Sequence, residues 1–377
     1  MNLKCTEFSG WNDDLFSGFI GLKHELQKDL PTYFPETLED YRKVLHPESA
    51  FAQDYEWRGF QIHEGEKLVA KAILAWRRGQ TTGNLGYIDW INDEAVAKLL
   101  VTNVRTYALM KDFEQIKCPV DLNFFVKYRI RCPGGGAPYY GEPIYPDYYH
   151  ELFEKVGFEI IGTWDTFLVD RFKTIGNFFK KRKKLNKRRH AHHDDLKVRF
   201  IKLSDWDNEL KVVHGLFLAS FKDMPEFEPI TYEQFKLIYD DFKYLIHPLL
   251  SYIVEFKGVP VGFSINYPDP LQILSSVRYK KLSVIQKGIL LARLKLNCKT
   301  LLMPYMGKTT GPNGEEVKGI MIKITKLLSY GILAAEKSLS CYQSTNSPAK
   351  RPLGPELITE YAKYVLYGIK LKEKSSS

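Results

Sequence analysis

The sequence contains an internal repeat: one order of elements occurs in the first half of the chain and again about 190 residues later. Each copy opens with a helical region, followed by a charged turn and an apolar strand, and the two turns contain Gly65 and Gly258. A longer amphipathic helix, a strand, a second helix and a last strand come next in both copies. The repeat therefore predicts two copies of one α+β unit.

A run of basic residues separates the two copies. Residues 180–189 hold eight Lys or Arg residues and a single apolar residue. Such a run is typical of a solvated linker. We predict an N-terminal domain at 1–172, a basic linker at 173–197 and a C-terminal domain at 198–377, and the length of 377 residues agrees with two domains.

The net charge of +9 and the pI near 9.0 predict an anionic partner, which is nucleic acid, an acidic membrane surface or a phosphorylated cofactor. Charge alone does not choose among these partners, and nucleic-acid binding through the linker is disfavoured because no aromatic residues for base stacking are interleaved with its cations. His190, His192 and His193 lie in the same polar region without a further cluster of ligands, so we expect no metal site. The five scattered cysteines and the lack of a long apolar segment lead us to expect a cytoplasmic protein without a membrane span.

Three stretches resemble segments of the GCN5-related N-acetyltransferase (GNAT) superfamily in its tandem form. "ELFEKVGFEIIGTWDTFLV" resembles the closing helix and strand of the superfamily, "PLLSYIVEFKGVPVGFSINYPD" is similar to its glycine-turn hairpin, and "AEKSLSCYQSTN" resembles the strand before its last helix. The resemblance covers approximately residues 10–170 and 198–372. It implies an α+β fold of two tandem acyl-CoA N-acyltransferase-like domains, each with a mixed, mainly antiparallel twisted sheet flanked by helices.

The resemblance also implies an acyl-CoA, whose pyrophosphate such domains hold with backbone N–H groups at the start of the helix after the fourth strand. The superfamily marks that place with Q/R-x-x-G-x-G/A. In the first half the corresponding stretch has no glycine and carries Asp89, Asp93 and Glu94. Because carboxylates repel phosphate and are ordinary residues at a helix N-terminus, we predict a structural helix there and a degenerate first domain.

The second half offers the glycine-rich stretch "MGKTTGPNGEEVKG" before a helix. We predict that this stretch binds acetyl-CoA or another acyl-CoA. The predicted binding residues are Met306, Gly307, Lys308, Gly314, Lys318, Gly319, Ile320 and Asn346, of which the asparagine is implied by the superfamily pattern. Glu315 and Glu316 add negative charge, and Met321 stands where the pattern has glycine or alanine. A plain connecting loop is therefore the alternative.

Tyr361, in "TEYAKY", resembles the tyrosine with which the superfamily protonates the leaving thiolate, and its counterpart in the first half is Phe153. Both residues are predicted to lie in a helix that precedes the last strand. Packing of Tyr361 between helix and sheet is the alternative. No residue stands out as the base that deprotonates the amine, for which Glu255 and Glu336 are candidates.

Together these observations predict an acyl-CoA-dependent N-acyltransferase that moves an acyl group to an amine of a small molecule or a peptide. Acetyl is the acyl group that we expect. The irregular glycine loop motivates an alternative, a non-catalytic GNAT-like binding protein. Binding of nucleic acid through the basic linker is the weaker alternative.

Overall fold

The computed structural model describes most of the chain, namely residues 2–174, 176, 195–224, 226–277, 280, 283–297, 299–345 and 355–372. The chain forms two compact units. The first unit consists of Met1–Gly134, Gly141–Thr163 and Tyr364–Ser377, and the second of Gly135–Tyr140 and Trp164–Lys363. The basic run of the predicted linker lies outside the described residues.

The first unit contains an antiparallel meander followed by a crossover helix. Its elements are β1 (Leu3–Phe8), α1 (Asp13–Gln27), α2 (Leu38–Leu45), β2 (Tyr55–Glu64), β3 (Lys67–Arg77), β4 (Thr82–Trp90), α3 (Glu94–Met110), β5 (Gln115–Cys118), β6 (Val120–Asp121), β7 (Lys127–Tyr128), β8 (Ile130–Arg131), α4 (Tyr148–Lys155) and the start of β9 (Glu159–Val169).

Strands β1 to β4 pair antiparallel in sequence order, and β4 then pairs parallel with β5. Gly65 turns the β2–β3 hairpin with a positive φ of 60°, which glycine adopts without steric cost. Helix α3 makes the parallel crossover, and its apolar face, which includes Val96, Leu100 and Val104, is buried in the core of the unit. The amphipathic spacing seen in the sequence is thus the inner face of α3.

The second unit repeats this order with one long insertion before its fourth strand. Its elements are β10 (Leu196–Phe200), α5 (Trp206–Phe221), α6 (Tyr232–Tyr239), α7 (Phe242–Leu245), β11 (Tyr252–Phe256), β12 (Val259–Pro268), α8 (Leu271–Leu274), α9 (Val284–Leu296), β13 (Thr300–Lys308), α10 (Ile320–Ala334), β14 (Lys337–Ser344) and the start of β15 (Ile358–Lys370).

The strand pairing of the second unit matches that of the first. Strands β10 to β13 pair antiparallel in sequence order, and β13 pairs parallel with β14 across α10. Gly258 turns the β11–β12 hairpin with a φ of 81°, as Gly65 does in the first unit. Both units are therefore mixed, mainly antiparallel sheets flanked by helices, which confirms the predicted fold class.

The strand that completes each sheet comes from the other half of the sequence. In the second unit, β14 pairs antiparallel with residues 164–168 of β9. In the first unit, β5 pairs antiparallel with residues 367–370 of β15, and β8 pairs with residues 364–365. This division differs from the predicted domain ranges of 1–172 and 198–377, because a strand pattern identifies a strand but not the sheet that it joins.

The prediction of a helix around Tyr361 is wrong. Residues Ile358–Lys370 form a strand, preceded by a single 3-10 turn at Pro355–Leu357. The stretch is rich in β-branched and aromatic residues, and residues 364–369 are all buried, which is the pattern of a strand covered on both faces. Tyr361 and Phe153 are therefore not equivalent, since Phe153 lies in α4.

Candidate active site

In the second unit, β13 has one residue more than its antiparallel partner β12 at a bulge. Ile265 pairs with Tyr305 and Tyr267 pairs with Leu302, so two steps along β12 correspond to three along β13. The bulge contains Met303 and a proline, which has no N–H for a ladder hydrogen bond. A bulge of this kind bends its strand and increases the local twist.

The parallel ladder between β13 and β14 ends at this bulge. The parallel pairing of the two strands ends at Met303 and Ser340, whereas β13 continues to Lys308 and β14 continues to Ser344. On its other edge β14 pairs with β9 both before and after Tyr342, where the chain has a positive φ of 56° and the register with β9 shifts. We call the space between residues 304–308 and 341–344 the second-unit opening.

The first unit has the same bulge at the equivalent place. Lys71 pairs with Asp89 and Ile73 pairs with Gly86, so β4 carries the extra residue. The parallel pairing of β4 with β5 ends at Asn84, six residues before the end of β4. The two units therefore share a bulge near which the parallel pairing of their central strands ends.

In the first unit the chain itself fills the space beside the bulge. The Asp121 carboxylate accepts a hydrogen bond of 2.5 Å from the backbone N–H of Tyr87, the residue at the bulge with a positive φ. A Cβ on Gly86 would lie 2.1 Å from a carbonyl oxygen of residues 119–122, and the Asn84 amide donates to another carbonyl of that segment. The first-unit opening is thus closed by residues 119–122.

A buried cluster of charged side chains lies against the closed opening. Lys71 and Asp89 form an ion pair of 2.8 Å in which both side chains are buried, and the Tyr149 hydroxyl donates to Asp89 at 3.1 Å. Lys23 and Glu36 form a second, partly buried pair in the same cluster. Burial of charges is tolerated only when they are paired, so this region is a self-contained polar core.

The equivalent positions of the second unit are apolar or aromatic. By strand register, Ile265 stands where the first unit has Lys71, and Tyr305 stands where it has Asp89. Both side chains border a small cavity of about 20 Å³ that is otherwise lined by Trp206, Leu210, Val213, Phe217, Phe235, Tyr239, Phe242 and Ile246. The cavity holds a group of about the size of a methyl.

The crossover helices of the two units begin differently. Asp93 caps α3, and its carboxylate accepts hydrogen bonds from the backbone N–H groups of Ala95 at 2.7 Å and Val96 at 3.1 Å. This agrees with the expectation of an ordinary structural helix in the first unit. The N-cap of α10 is Gly319, with a φ of 96°, and glycine has no side chain that could accept from the first turn. The positive end of the α10 dipole therefore carries no capping carboxylate from its N-cap residue.

The loop between β13 and α10 is held by its own hydrogen bonds. The backbone N–H of Gly311 donates to the carbonyl of Glu315 at 2.8 Å, and that of Asn313 donates to the Glu315 carboxylate at 2.8 Å. A Cβ on Gly311 would lie 2.5 Å from the Glu315 carboxyl carbon. Glu315 thus accepts two backbone N–H groups, one at its carbonyl and one at its carboxylate, and adds negative charge within the loop.

Of the residues predicted for acyl-CoA, three lie in this loop and three lie in the strand before it. Gly307 and Lys308 pair with β12, so the prediction that they belong to the loop is wrong. A side chain at position 307 would collide with α5, because a Cβ there would lie 2.5 Å from the Ser220 hydroxyl. The same hydroxyl donates a hydrogen bond to the Lys308 carbonyl. Met306 precedes them in β13 and is half-buried.

The other predicted residues have separate structural roles. Gly314 has a φ of 78° in an exposed turn, and Lys318 is exposed. Ile320 is 1% exposed and packs on Gly262 of β12. A Cβ on Gly262 would lie 2.5 Å from the Ile320 side chain. Ile320 can therefore offer a ligand only its backbone. Asn346 lies outside the described residues.

Tyr361 lies in a packed environment away from the second-unit opening. Its hydroxyl donates to the Ala137 carbonyl at 2.7 Å and accepts from the Lys337 ammonium at 2.5 Å. A Cβ on Gly136 would lie 2.1 Å from the ring. Because Lys337 begins β14, it lies three residues, or about 10 Å of strand, before the opening at Ser340. This position favours the packing alternative for Tyr361.

The two residues that are candidates for the general base also lie outside β13 and β14, the strands that border the second-unit opening. Glu255 lies in β11, where it accepts a hydrogen bond of 2.6 Å from Arg199, which also binds Glu209 at 2.6 Å. Glu336 is exposed in the turn before β14. The ion network of Glu255 joins β10, α5 and β11 and accounts for it structurally.

The first unit has a separate open cleft of about 440 Å³. It lies where β2 extends past the end of β1, and aromatic and charged side chains line it, among them Trp57, Trp76, Tyr107, Arg58 and Glu56. The Arg58 guanidinium lies 4.9 Å from the centre of the Tyr107 ring. This cleft could not be predicted from the sequence, because its residues are spread over four elements and the loops between them.

Within the described part of the chain, no group of three His, Cys, Asp or Glu side chains is placed to hold a metal ion. The histidine-rich stretch 190–193 lies outside that part. Among the same described residues, no helix is both long enough and apolar enough to cross a membrane.

Comparison with known proteins gives many matches of fold and one of sequence. No protein-family model matches the chain. Over its whole length the chain superposes on a tandem GNAT protein from the clavulanic acid biosynthesis pathway, with a TM-score of 0.51, 11% identity, and coverage of 99% of this chain and 100% of that one. The chain has the tandem GNAT fold.

Two further solved structures support the tandem GNAT fold. A conserved protein of Enterococcus faecalis, described as a probable N-acyltransferase, matches with a TM-score of 0.57 and 7% identity, over 98% of this chain and 73% of that one. A GCN5-related N-acetyltransferase from Anabaena variabilis matches with a TM-score of 0.53 and 9% identity, over the same shares. Among curated sequences, Protein YghO of Escherichia coli is 21% identical over 312 residues, covering 78% of this chain and 76% of that protein. At these identities the structural matches show the fold alone.

Proposed function

We propose that the chain is an acyl-CoA-dependent N-acyltransferase and that its second unit binds the acyl-CoA. The observation that carries this proposal is the second-unit opening, which adjoins a loop and a helix whose N-cap is Gly319. A glycine N-cap leaves backbone N–H groups and the positive end of the helix dipole for an anion. Lys308 and Lys318 are exposed at the two ends of the same loop and add positive charge.

The first unit supports this assignment by contrast. It has the same fold and the same bulge, but residues 119–122 fill its opening and Asp93 caps its helix. In the proposed enzyme the first unit is therefore structural or contributes to binding of the acceptor. The contrast between the units is the reason for assigning the acyl-CoA to one of them only.

We propose acetyl as the transferred group. The apolar cavity bordered by Ile265 and Tyr305 admits a group of about the size of a methyl, which supports a short acyl chain over a long one. The acceptor is an amine of a small molecule or a peptide. The five cysteines are widely scattered along the sequence without a CxxC pair, which supports a reducing, cytoplasmic setting for the reaction.

For the proton donor to the leaving thiolate we propose Tyr342. It lies on β14 directly at the opening, is half-buried, and has a φ of 56°, which is uncommon for a bulky residue and is a mark of functional strain. Its backbone N–H donates to the Thr166 hydroxyl at 3.2 Å, which holds the strand in this bend. Tyr361, the donor expected from the sequence, is the alternative and serves as its control.

The proposal is tested by isothermal titration of the full chain with acetyl-CoA, decanoyl-CoA and free CoA. We expect one site per chain, with acetyl-CoA bound at least as tightly as decanoyl-CoA. A mixture with a panel of amines, followed by release of free thiol, then measures turnover. Lack of binding by every CoA compound would refute the proposal.

The second candidate function is a binding protein without catalysis. The position of Glu315, whose carboxylate already accepts a backbone N–H in the loop, favours it. Binding of acetyl-CoA without thiol release on any amine, or binding of no CoA compound at all, is the result that this candidate predicts.

A further inference from the structure

Helix α9 belongs to an insertion that only the second unit has. In the first unit, four residues, 78–81, connect β3 to β4. In the second unit, 31 residues, 269–299, connect the equivalent strands β12 and β13, and α9 is the longest element among them. Because the sheet of the first unit is complete without such a segment, the insertion is not needed to form the fold.

One side of α9 is apolar and exposed. Ile285 is 75% exposed, Ile289 is 49% exposed and Leu296 is 86% exposed, and Ala292 between them is also exposed. At about 100° per residue these four positions lie within roughly 60° of one another around the helix. We call them the α9 stripe. Leu294, on the opposite side, is 3% exposed and attaches the helix to the protein.

The surroundings of the α9 stripe are basic. Residues 271–299 contain seven Lys or Arg residues and no Asp or Glu. Arg293 and Lys295 lie on the two sides of the stripe, at about 80° from Ile285 in opposite directions. Burial and the Lys295 ammonium lower the pKa of His247, so the loop after α7 adjoins this end of the helix, and Leu249 in that loop is 66% exposed.

We propose that α9 docks on an anionic lipid surface, with its apolar stripe in the boundary between headgroups and acyl chains. An amphipathic helix with apolar residues on one side and flanking cations lies in the plane of such an interface. The stripe supplies the apolar contact, and the cations face the acidic headgroups. The second unit is then held at the membrane surface without a spanning helix.

Charge argues against the other occupants of this surface. Two copies of α9 packed through the stripe would bring Arg293 and Lys295 of each copy close to those of the other, and like charges in contact are unfavourable. An acidic protein would satisfy the cations, but it would not require the apolar stripe to be exposed over the full length of the helix. A lipid surface satisfies both features.

The test is co-sedimentation of the full chain with vesicles of phosphatidylcholine alone and of phosphatidylcholine with about 30% phosphatidylserine. We expect binding to the acidic vesicles only. The double variant Ile285→Glu, Leu296→Glu should bind at least about 30-fold more weakly, because two apolar side chains no longer enter the interface. Met110→Glu is the matched control, since Met110 is 78% exposed in the first unit and its variant should bind like the original chain.

A second variant separates charge from apolar contact. Arg293→Gln should weaken binding about fivefold, and added salt should reduce this difference. Unfolding temperature and acetyl-CoA binding should be unchanged in all variants, which distinguishes loss of docking from misfolding and from failure of the proposed activity.

Three results would overturn the proposal. The first is equal sedimentation of the chain and the stripe variant. The second is no vesicle binding together with a dimer that the stripe variant converts to a monomer, which would assign the stripe to a second copy. The third is preference for soluble polyglutamate over acidic vesicles, which would assign it to an acidic protein.

Discussion

A single carboxylate at the start of α10 should weaken acyl-CoA binding about 100-fold if the proposed site is correct. The first unit shows the design of the experiment, because its crossover helix carries Asp93 at the N-cap and the second unit has Gly319 there. Gly319→Asp places a carboxylate at the same N-cap position, where the backbone φ is 96° and not the −146° of Asp93. Gly319→Asn is the matched control, since asparagine has the same shape, also tolerates a positive φ, and has no charge.

The expected magnitude follows from Coulomb's law. A carboxylate about 5 Å from one phosphate charge, at an effective dielectric constant of about 40 for an exposed site, costs roughly 1.7 kcal/mol. Pyrophosphate carries two such charges, so we expect a cost of about 3 kcal/mol, or a loss of affinity of about 100-fold relative to the asparagine variant. Both variants should share the small loss of stability caused by a side chain at a φ of 96°.

Isothermal titration with acetyl-CoA at low and high salt measures this difference. Salt screens the repulsion between exposed charges, so the ratio of the two affinities should fall as the ionic strength rises. Equal affinity of the Asp and Asn variants at low salt would refute the reasoning, because the pyrophosphate would then lie away from the α10 N-terminus. Circular dichroism of both variants checks that each is folded.

Three further predictions concern catalysis, the exchanged strand and acid stability. Tyr342→Phe should lower kcat about 100-fold without changing acetyl-CoA affinity, whereas Tyr361→Phe should lower only the unfolding temperature, and the reverse result would restore Tyr361 as the proton donor. Tyr367→Ala, which removes a ring stacked at 5.0 Å on a phenylalanine of α4, should cost the first unit about 3 kcal/mol in urea unfolding, and a cost below about 1 kcal/mol would contradict the exchange. Although burial acts in the opposite direction, the ammonium of Lys23 lowers the pKa of Glu36 to about 2. The pair therefore contributes stability that is complete above pH of about 4.3 and is lost as the pH falls towards 2, and in acid titrations followed by tryptophan fluorescence Glu36→Gln should remove this dependence.

The fold class could be predicted from the sequence because the features that determine it are local. Glycine turns, amphipathic helices and strand patterns recur in both halves, and each of these is set by neighbouring residues. The pairing partners of β9 and β15 were not predictable in this way. Both strands have the same apolar character, and the choice of sheet depends on contacts between residues that are some 200 positions apart.

The candidate site was predicted only in part for the same reason. The absence of glycine in the first half agrees with the capped helix found there, but the role of Asp121 could not be predicted, because it depends on a contact with Tyr87 across the opening. The superfamily order predicts a helix at Tyr361, although the residues around it have a strand pattern. Tyr342 could not be singled out among 23 tyrosines without the strand register.

The exchanged strands have a consequence for how the chain is made. When the first half leaves the ribosome, its sheet still lacks the strand that residues 364–370 supply, and those residues are synthesised only after the whole second unit. The first unit therefore cannot finish folding until those residues emerge, and its edge beside β5 stays open until then. A cut in the linker would likewise leave two fragments that each hold a strand of the other's sheet, so neither half of the gene could be lost or expressed separately without leaving a sheet incomplete.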